Sequence, residues 1–166
     1  MTEPARTVAD LSADERAEDD AARRKIDASI PHGPMTTERV GKLHTATQPL
    51  LVALHKVVEA QAARRGDKPV PAETLGTAKT LLARVRRVLA SEPGQEGLYF
   101  IHPPLSWTGL LVKLQLALAA FDQFRDTYGI GYDPDLLDMW RTPEYLEYCF
   151  MRAFLESQEN DLDEDD

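Results

Sequence analysis

One short segment of the chain holds the side chains best suited to bind or transform a small molecule. His102 brings an imidazole that titrates near neutral pH, Ser106 a hydroxyl and Trp107 a broad aromatic surface, with two prolines stiffening the chain between them. Because Ser106 is expected to begin a helix, the helix N-terminus beside it could bind an anion. With Tyr128 and Asp133 at the rim, this segment is one hypothesis for a ligand pocket or active site. The structural alternative is that Ser106 caps the helix and Trp107 belongs to the core.

The other titratable groups form no recognisable metal or catalytic pattern. His44 and His55 are eleven residues apart and share a helix face, but a metal site needs more ligands than two imidazoles. The sequence contains no CxxC, no HExxH and no Glu-x-x-His pair of the di-iron type. Cys149 falls on an apolar helix stripe, so we expect a buried, inert thiol. We therefore predict no metal and no cofactor, and histidines that are exposed or partly buried.

Charge is distributed unevenly along the chain. Residues 31–92 hold ten lysines and arginines against five acids, whereas residues 133–166 hold two against twelve. On the second of the helices predicted below, the basic residues have no acid four positions away with which to pair. The predicted basic face of the protein comprises Lys79, Arg84, Arg86, Arg87, Arg64 and Arg65.

This charge pattern supports three functional hypotheses and one plain alternative. The basic face could bind an acidic partner protein, with the acidic C-terminus competing for it within the chain. It could instead bind nucleic acid and be masked by the acidic tail, although the formal net charge of -9 opposes non-specific binding of that kind. Alternatively, the acidic residues could mimic nucleic-acid phosphates and block a basic site on another protein; the residues suited to this are Asp133, Asp135, Asp138, Glu144, Glu147 and Glu156. The plain alternative is a solvated helix face with a solubilising tail.

Two apolar stripes predict the elements that carry the basic residues. The first stripe repeats every three or four residues, as one face of a helix does, and begins beside a threonine N-cap, Thr36 or Thr37. Pro49 lies inside this stripe without changing its phase, so we expect one kinked helix rather than two. After a turn at residues 66–71, the stripe over residues 75–89 predicts a second helix, antiparallel to the first.

The remaining helices follow capping signals. Ser106 is the expected N-cap of a third helix ending near Tyr128, and this helix is apolar around much of its circumference, which predicts the centre of the core. Two further helices are expected over residues 133–140 and from residue 142 to about residue 157, because each begins with a capping side chain followed by proline.

Together these elements predict an all-α protein, a single-domain bundle of four to five helices with a long, proline-kinked N-terminal hairpin. Residues 1–33 are polar and expected to be largely disordered, with a helix at residues 10–30 only transiently or on a partner. We expect the bundle over residues 34–158 and an acidic disordered tail at 159–166. One cysteine, an acidic N-terminus without a signal core, and no apolar run of about 20 residues predict a cytoplasmic protein that does not enter membranes.

The sequence thus favours a non-enzymatic helical interaction or regulatory protein that binds another protein through a charged helix face. The alternative from a different class is a small-molecule binder or enzyme that uses the segment around His102 and Trp107. Nucleic-acid binding is a third hypothesis. A homo-oligomer is also compatible with the sequence, because the long apolar stripes could be buried within one chain or against a second copy.

Overall fold

The described part of the protein is helical. The computed structural model describes residues 12–29, 33–94, 100–130 and 140–163. Within these ranges there is no β-strand, so the all-α prediction is confirmed. The helices are α1 (Ala13–Ser29), α2 (Glu38–Arg65), α3 (Ala72–Val88), α4 (Trp107–Tyr128) and α5 (Pro143–Asp163).

The helices fall into two compact units. The larger unit spans Gly33–Thr142 and contains α2, α3 and α4, which share one hydrophobic core. The smaller unit consists of residues 1–32 and 143–166. It contains α1 and α5, which pack on each other although most of the chain separates them in sequence.

Helix α2 begins at the N-cap that the sequence predicts. The Thr37 hydroxyl accepts a hydrogen bond from the backbone N–H of Val40 at 3.3 Å. Pro49 lies inside α2, so the helix is not divided there. Because proline has no N–H, the backbone carbonyl of Thr45, four residues earlier, loses its usual helical partner. The bend expected at Pro49 stays a prediction.

The turn between α2 and α3 is fastened to the start of α4. The backbone N–H groups of Trp107 and Thr108 donate to the carbonyls of Lys68 and Gly66, at 3.1 and 3.0 Å. Val70 donates to the carbonyl of Leu105 at 2.9 Å. These bonds fix the N-terminal end of α4 against the hairpin, so the apolar faces of the three helices meet in one core. The side chains at its centre are fully buried: Leu51, Leu82, Leu110, Leu114 and Phe121.

Helix α1 lies in the segment for which the sequence predicts a largely disordered state. Its start is a capping box: the Ser12 N–H donates to the Glu15 carboxylate at 2.8 Å, and the Glu15 N–H donates to the Ser12 hydroxyl at 3.3 Å. Alanine, arginine and glutamate, which are strong helix formers, make up most of the helix. Ile26 is buried. The sequence signal for this helix was therefore the capping motif, not an apolar stripe.

Helix α5 is longer than its sequence pattern predicts. It continues to Asp163, six residues beyond the expected end near Ser157, because no glycine or proline interrupts this stretch. The stripe predicted to face inward, which includes Leu146, Phe150 and Phe154, is half-buried. The helix predicted over residues 133–140 lies outside the described residues, except for Trp140.

In the described part of the chain, no helix is long and apolar enough to span a membrane.

Candidate functional site

The described residues of the hypothetical ligand pocket are not brought together. Trp107 is buried in the core at the N-terminal end of α4, whereas His102 is exposed. Tyr128 is the last residue of α4, which at 1.5 Å per residue places it about 30 Å from Trp107. Its hydroxyl donates to the Glu92 carboxylate at 2.7 Å, and this bond raises the pKa of the phenol. Asp133 lies outside the described residues.

The backbone N–H groups at the start of α4, where an anion could bind, already donate hydrogen bonds to acceptors within the protein. Ser106 is the N-cap, and its hydroxyl accepts from the Gly109 N–H at 3.1 Å. The N–H groups of Trp107 and Thr108 donate to the α2–α3 turn, and that of Leu110 donates to the Ser106 carbonyl. All four N–H groups of the first turn therefore have an acceptor, and none is left for a bound anion.

Cys149 and the histidines form no metal site in the described part of the chain. No group of three or more histidine, cysteine or acidic side chains lies close enough to hold an ion there. Cys149 is half-buried rather than buried as predicted, and a hydrogen bond to this thiol raises the pKa of Tyr145 to about 12.

The six residues of the predicted basic face are divided among three places. Arg64 and Arg65 lie in the last turn of α2, where positive charge is favourable beside the helix C-terminus. Arg84 lies on the flank of α3 that faces α2. Lys79 and Arg86 lie on the opposite flank, and Arg87 is exposed next to them.

Phe100 lies beside Lys79 and Arg86, and Arg87, the next residue of α3, is exposed. We call these four residues the basic α3 surface. The guanidinium carbon of Arg86 lies 5.3 Å from the centroid of the Phe100 ring, within range of a cation–π contact. Phe100 is itself 47% exposed. The surface contains a groove of about 270 Å³, lined by Lys79, Leu82, Ala83, Arg86, Phe100 and Ile101. Sequence reasoning found the three cations but missed Phe100, which the fold brings to them from another segment.

Among the described residues, no neighbouring acid neutralises the cations of the basic α3 surface. Three ion pairs join side chains four positions apart on α1, α2 and α5: Arg23–Asp19, Lys42–Glu38 and Arg152–Glu156. Within the same described residues, Lys79, Arg86 and Arg87 have no carboxylate partner. Their positive charge is therefore presented to solvent.

His44 is the one completely buried histidine among the described residues, which corrects the expectation of an exposed or partly buried side chain. Its ring stacks on Phe121 at 4.3 Å and meets the edge of Trp140 at 4.8 Å, measured between ring centroids. Nε2 donates to the backbone carbonyl of Phe121 at 2.9 Å, because a carbonyl can only accept. Burial lowers the pKa of His44 to about 4, so the imidazole is neutral at physiological pH.

Trp140 closes the cluster around His44. Its indole lies against Gly41 so closely that a Cβ at that position would overlap the ring. The indole N–H donates to the Thr45 hydroxyl at 3.3 Å, and the Arg125 guanidinium lies 4.9 Å from the ring centroid. These contacts give His44 and Trp140 a structural role in joining α2, α4 and the segment before α5.

Comparison with known proteins adds no relative. No protein family, curated protein or solved structure matches the chain.

Proposed function

We propose that the protein is a non-enzymatic interaction protein that binds an acidic partner protein through the basic α3 surface. The observation that carries this proposal is the set of three exposed cations, Lys79, Arg86 and Arg87, without a carboxylate partner among the described residues. Two of them, Lys79 and Arg86, line a groove with an exposed aromatic ring. Arginine and aromatic side chains are enriched at protein interfaces, where they contribute much of the binding free energy.

The plain alternative, a solvated helix face, accounts for most of the basic residues but not for Lys79 beside Phe100. Arg64 and Arg65 stand in the last turn of α2, and Arg86 and Arg87 stand in the last turn of α3, where the helix dipole itself favours positive charge. Lys79 stands in the middle of α3 and gains nothing from the dipole. The exposed Phe100 ring also has an unfavourable contact with water that a partner would relieve.

A protein partner fits the molecule better than nucleic acid does. The net charge of -9 opposes a polyphosphate, which is negative along its whole length, more than it opposes a folded protein whose negative charge is confined to one patch. The groove beside Phe100 is also partly apolar, being lined by Leu82, Ala83 and Ile101. It could therefore accept an apolar side chain flanked by carboxylates.

The test compares two variants that change the net charge equally. R86E/R87E reverses two cations of the basic α3 surface, and R64E/R65E reverses two cations at the far end of the hairpin. Each variant and the unchanged protein are used as bait in nuclease-treated native lysate, and bound proteins are quantified by mass spectrometry. We expect R86E/R87E to lose at least tenfold of an acidic partner that R64E/R65E retains, since each buried charge contact contributes more than about 1 kcal/mol.

Two outcomes would contradict the proposal. Equal capture by all three baits would show that the basic α3 surface does not bind the partner. Capture that disappears on nuclease treatment would instead favour nucleic-acid binding, and anisotropy with a labelled DNA duplex would then measure it directly. Circular dichroism of the baits checks that each variant is folded.

A further inference from the structure

A second surface of the larger unit is apolar and lies on the other flank of α3. It is a groove of about 340 Å³ between α2 and α3, and we call it the α2–α3 groove. Leu50 and Val57 on its α2 side are 49% and 56% exposed, and with Ala53 and Leu54 between them they form a contiguous apolar patch. The residues that line it are Leu50, Ala53, Leu54, Val57, Thr77, Thr80, Leu81 and Arg84.

The polar groups of the α2–α3 groove are few. The hydroxyls of Thr77 and Thr80 donate to carbonyls of their own helix, at 3.4 and 3.1 Å, so their protons are not available to a ligand. Arg84 is the one charged side chain in the lining and has no carboxylate partner among the described residues. The groove therefore fits an apolar stripe accompanied by one acid.

Helix α5 carries a stripe with these properties. Tyr148, Met151 and Leu155 are each 57% exposed, and they stand three and four residues apart on one face of the helix. The helix as a whole is acidic, with six acids against one arginine. Glu159 follows Leu155 by one turn on the same face. In the described part of the smaller unit, these are the large hydrophobic side chains that are exposed.

The spacing of the two surfaces matches in one orientation. On α2, Leu50, Leu54 and Val57 are separated by four and then three residues, and the α5 stripe has the same order when read backwards. Both stripes extend over about 10 Å, at 1.5 Å per residue. An α5 helix antiparallel to α2 would set Leu155 beside Leu50 and Met151 beside Leu54. Glu159 would then lie beyond Leu50, toward the end of the groove where Arg84 stands.

We propose that the α2–α3 groove binds helix α5 of a second copy of this chain, with Glu159 of one copy pairing with Arg84 of the other. The charges agree, because α2 and α3 each carry a net positive charge and α5 a net negative one. Each copy offers one groove and one α5, so two copies can satisfy both contacts about a twofold axis. This contact is independent of the acidic partner, which occupies the opposite flank of α3.

The first experiment is sedimentation velocity of the full chain over a wide range of concentrations. We expect reversible self-association, and we expect R84E or E159R alone to weaken it roughly tenfold by placing like charges together. The combined variant R84E/E159R restores the pair with reversed polarity and should recover most of the association. R64E is the matched control, since it makes the same charge change in the last turn of α2, outside both the α2–α3 groove and the basic α3 surface.

A second pair of variants tests the apolar part of the contact. L50S removes an exposed side chain from the α2–α3 groove, and V112S removes one of similar exposure from α4, outside the groove. We expect only L50S to weaken self-association. Both positions are exposed, and circular dichroism checks that each variant is folded. A chain that is monomeric at all concentrations would overturn the proposal. So would association that both single charge reversals leave unchanged, or that the combined variant fails to recover.

Discussion

The buried imidazole of His44 links the stability of the larger unit to pH. Burial lowers its pKa from 6.5 to about 4, because the desolvated ring resists taking a positive charge. An unfolded chain takes up this proton near pH 6.5, so between pH 6.5 and 4 the unfolded state binds more protons than the folded state. The contribution of neutral His44 to the free energy of unfolding is therefore fully present above pH 6.5, and it is lost as the pH falls toward 4. The full loss is roughly 3 kcal/mol.

Replacing His44 should remove this dependence on pH. We expect H44F to keep the stacking on Phe121. Between pH 7 and pH 5, its free energy of unfolding should fall by about 2 kcal/mol less than that of the unchanged protein. The measurement is urea unfolding followed by tryptophan fluorescence, and both tryptophans, Trp107 and Trp140, lie in the larger unit. H55Q is the control and should keep the original slope. An unchanged slope in H44F would show that His44 does not carry the effect.

At the scale of the helices, local signals in the sequence were sufficient for the elements of the larger unit. The apolar stripes, the Thr37 and Ser106 caps and the glycines after Tyr128 predicted the existence and the limits of α2, α3 and α4 closely. These signals are local, because a cap or a stripe depends only on residues within a few turns. Helix α1 lacks an apolar stripe, and its capping box is the local sequence signal that indicates it.

The contacts between elements were less accessible to sequence reasoning. His44 and Trp140 meet although ninety-six residues separate them, and no local pattern pairs them. The opposite positions of Arg84 and Arg86 could have been predicted, since residues two positions apart in a helix differ by about 200° around its axis. That Phe100 joins Arg86 could not, because its segment is placed by tertiary contacts alone.

The close approach of α2 to Trp140 gives a prediction at this scale. A methyl group at position 41 would overlap the indole ring, so we expect G41A to destabilise the larger unit by about 1–3 kcal/mol, as overpacking does. Gly76 on α3 is the matched control, because a Cβ there meets no atom within 4 Å. G76A should leave stability unchanged or raise it by up to about 1 kcal/mol, since alanine favours helix. Urea unfolding of both variants tests this, and equal effects would contradict the described packing of Trp140.

At the scale of the whole molecule, the protein has a net charge of -9 but carries two surfaces of different character on helix α3. One flank of α3 carries the exposed cations Lys79 and Arg86 beside a groove that is partly apolar. The other flank borders the α2–α3 groove, whose lining is apolar except for Arg84 and two threonines. Binding at the first surface should depend mainly on charge, and binding at the second mainly on burial of apolar area.

Ionic strength should therefore separate the two proposed interactions. At about 1 M salt the Debye length is only about 3 Å, so attraction between exposed charges is largely screened, whereas the hydrophobic contribution persists. We expect capture of the acidic partner to fall steeply between low and high sodium chloride, and self-association to weaken only by the share that the Arg84 pair contributes. Pull-down and sedimentation velocity in the same buffers measure both. If salt abolished self-association as completely as partner capture, charge rather than the apolar stripe would be holding the copies together, and the assignment of helix α5 to the groove would have to be abandoned.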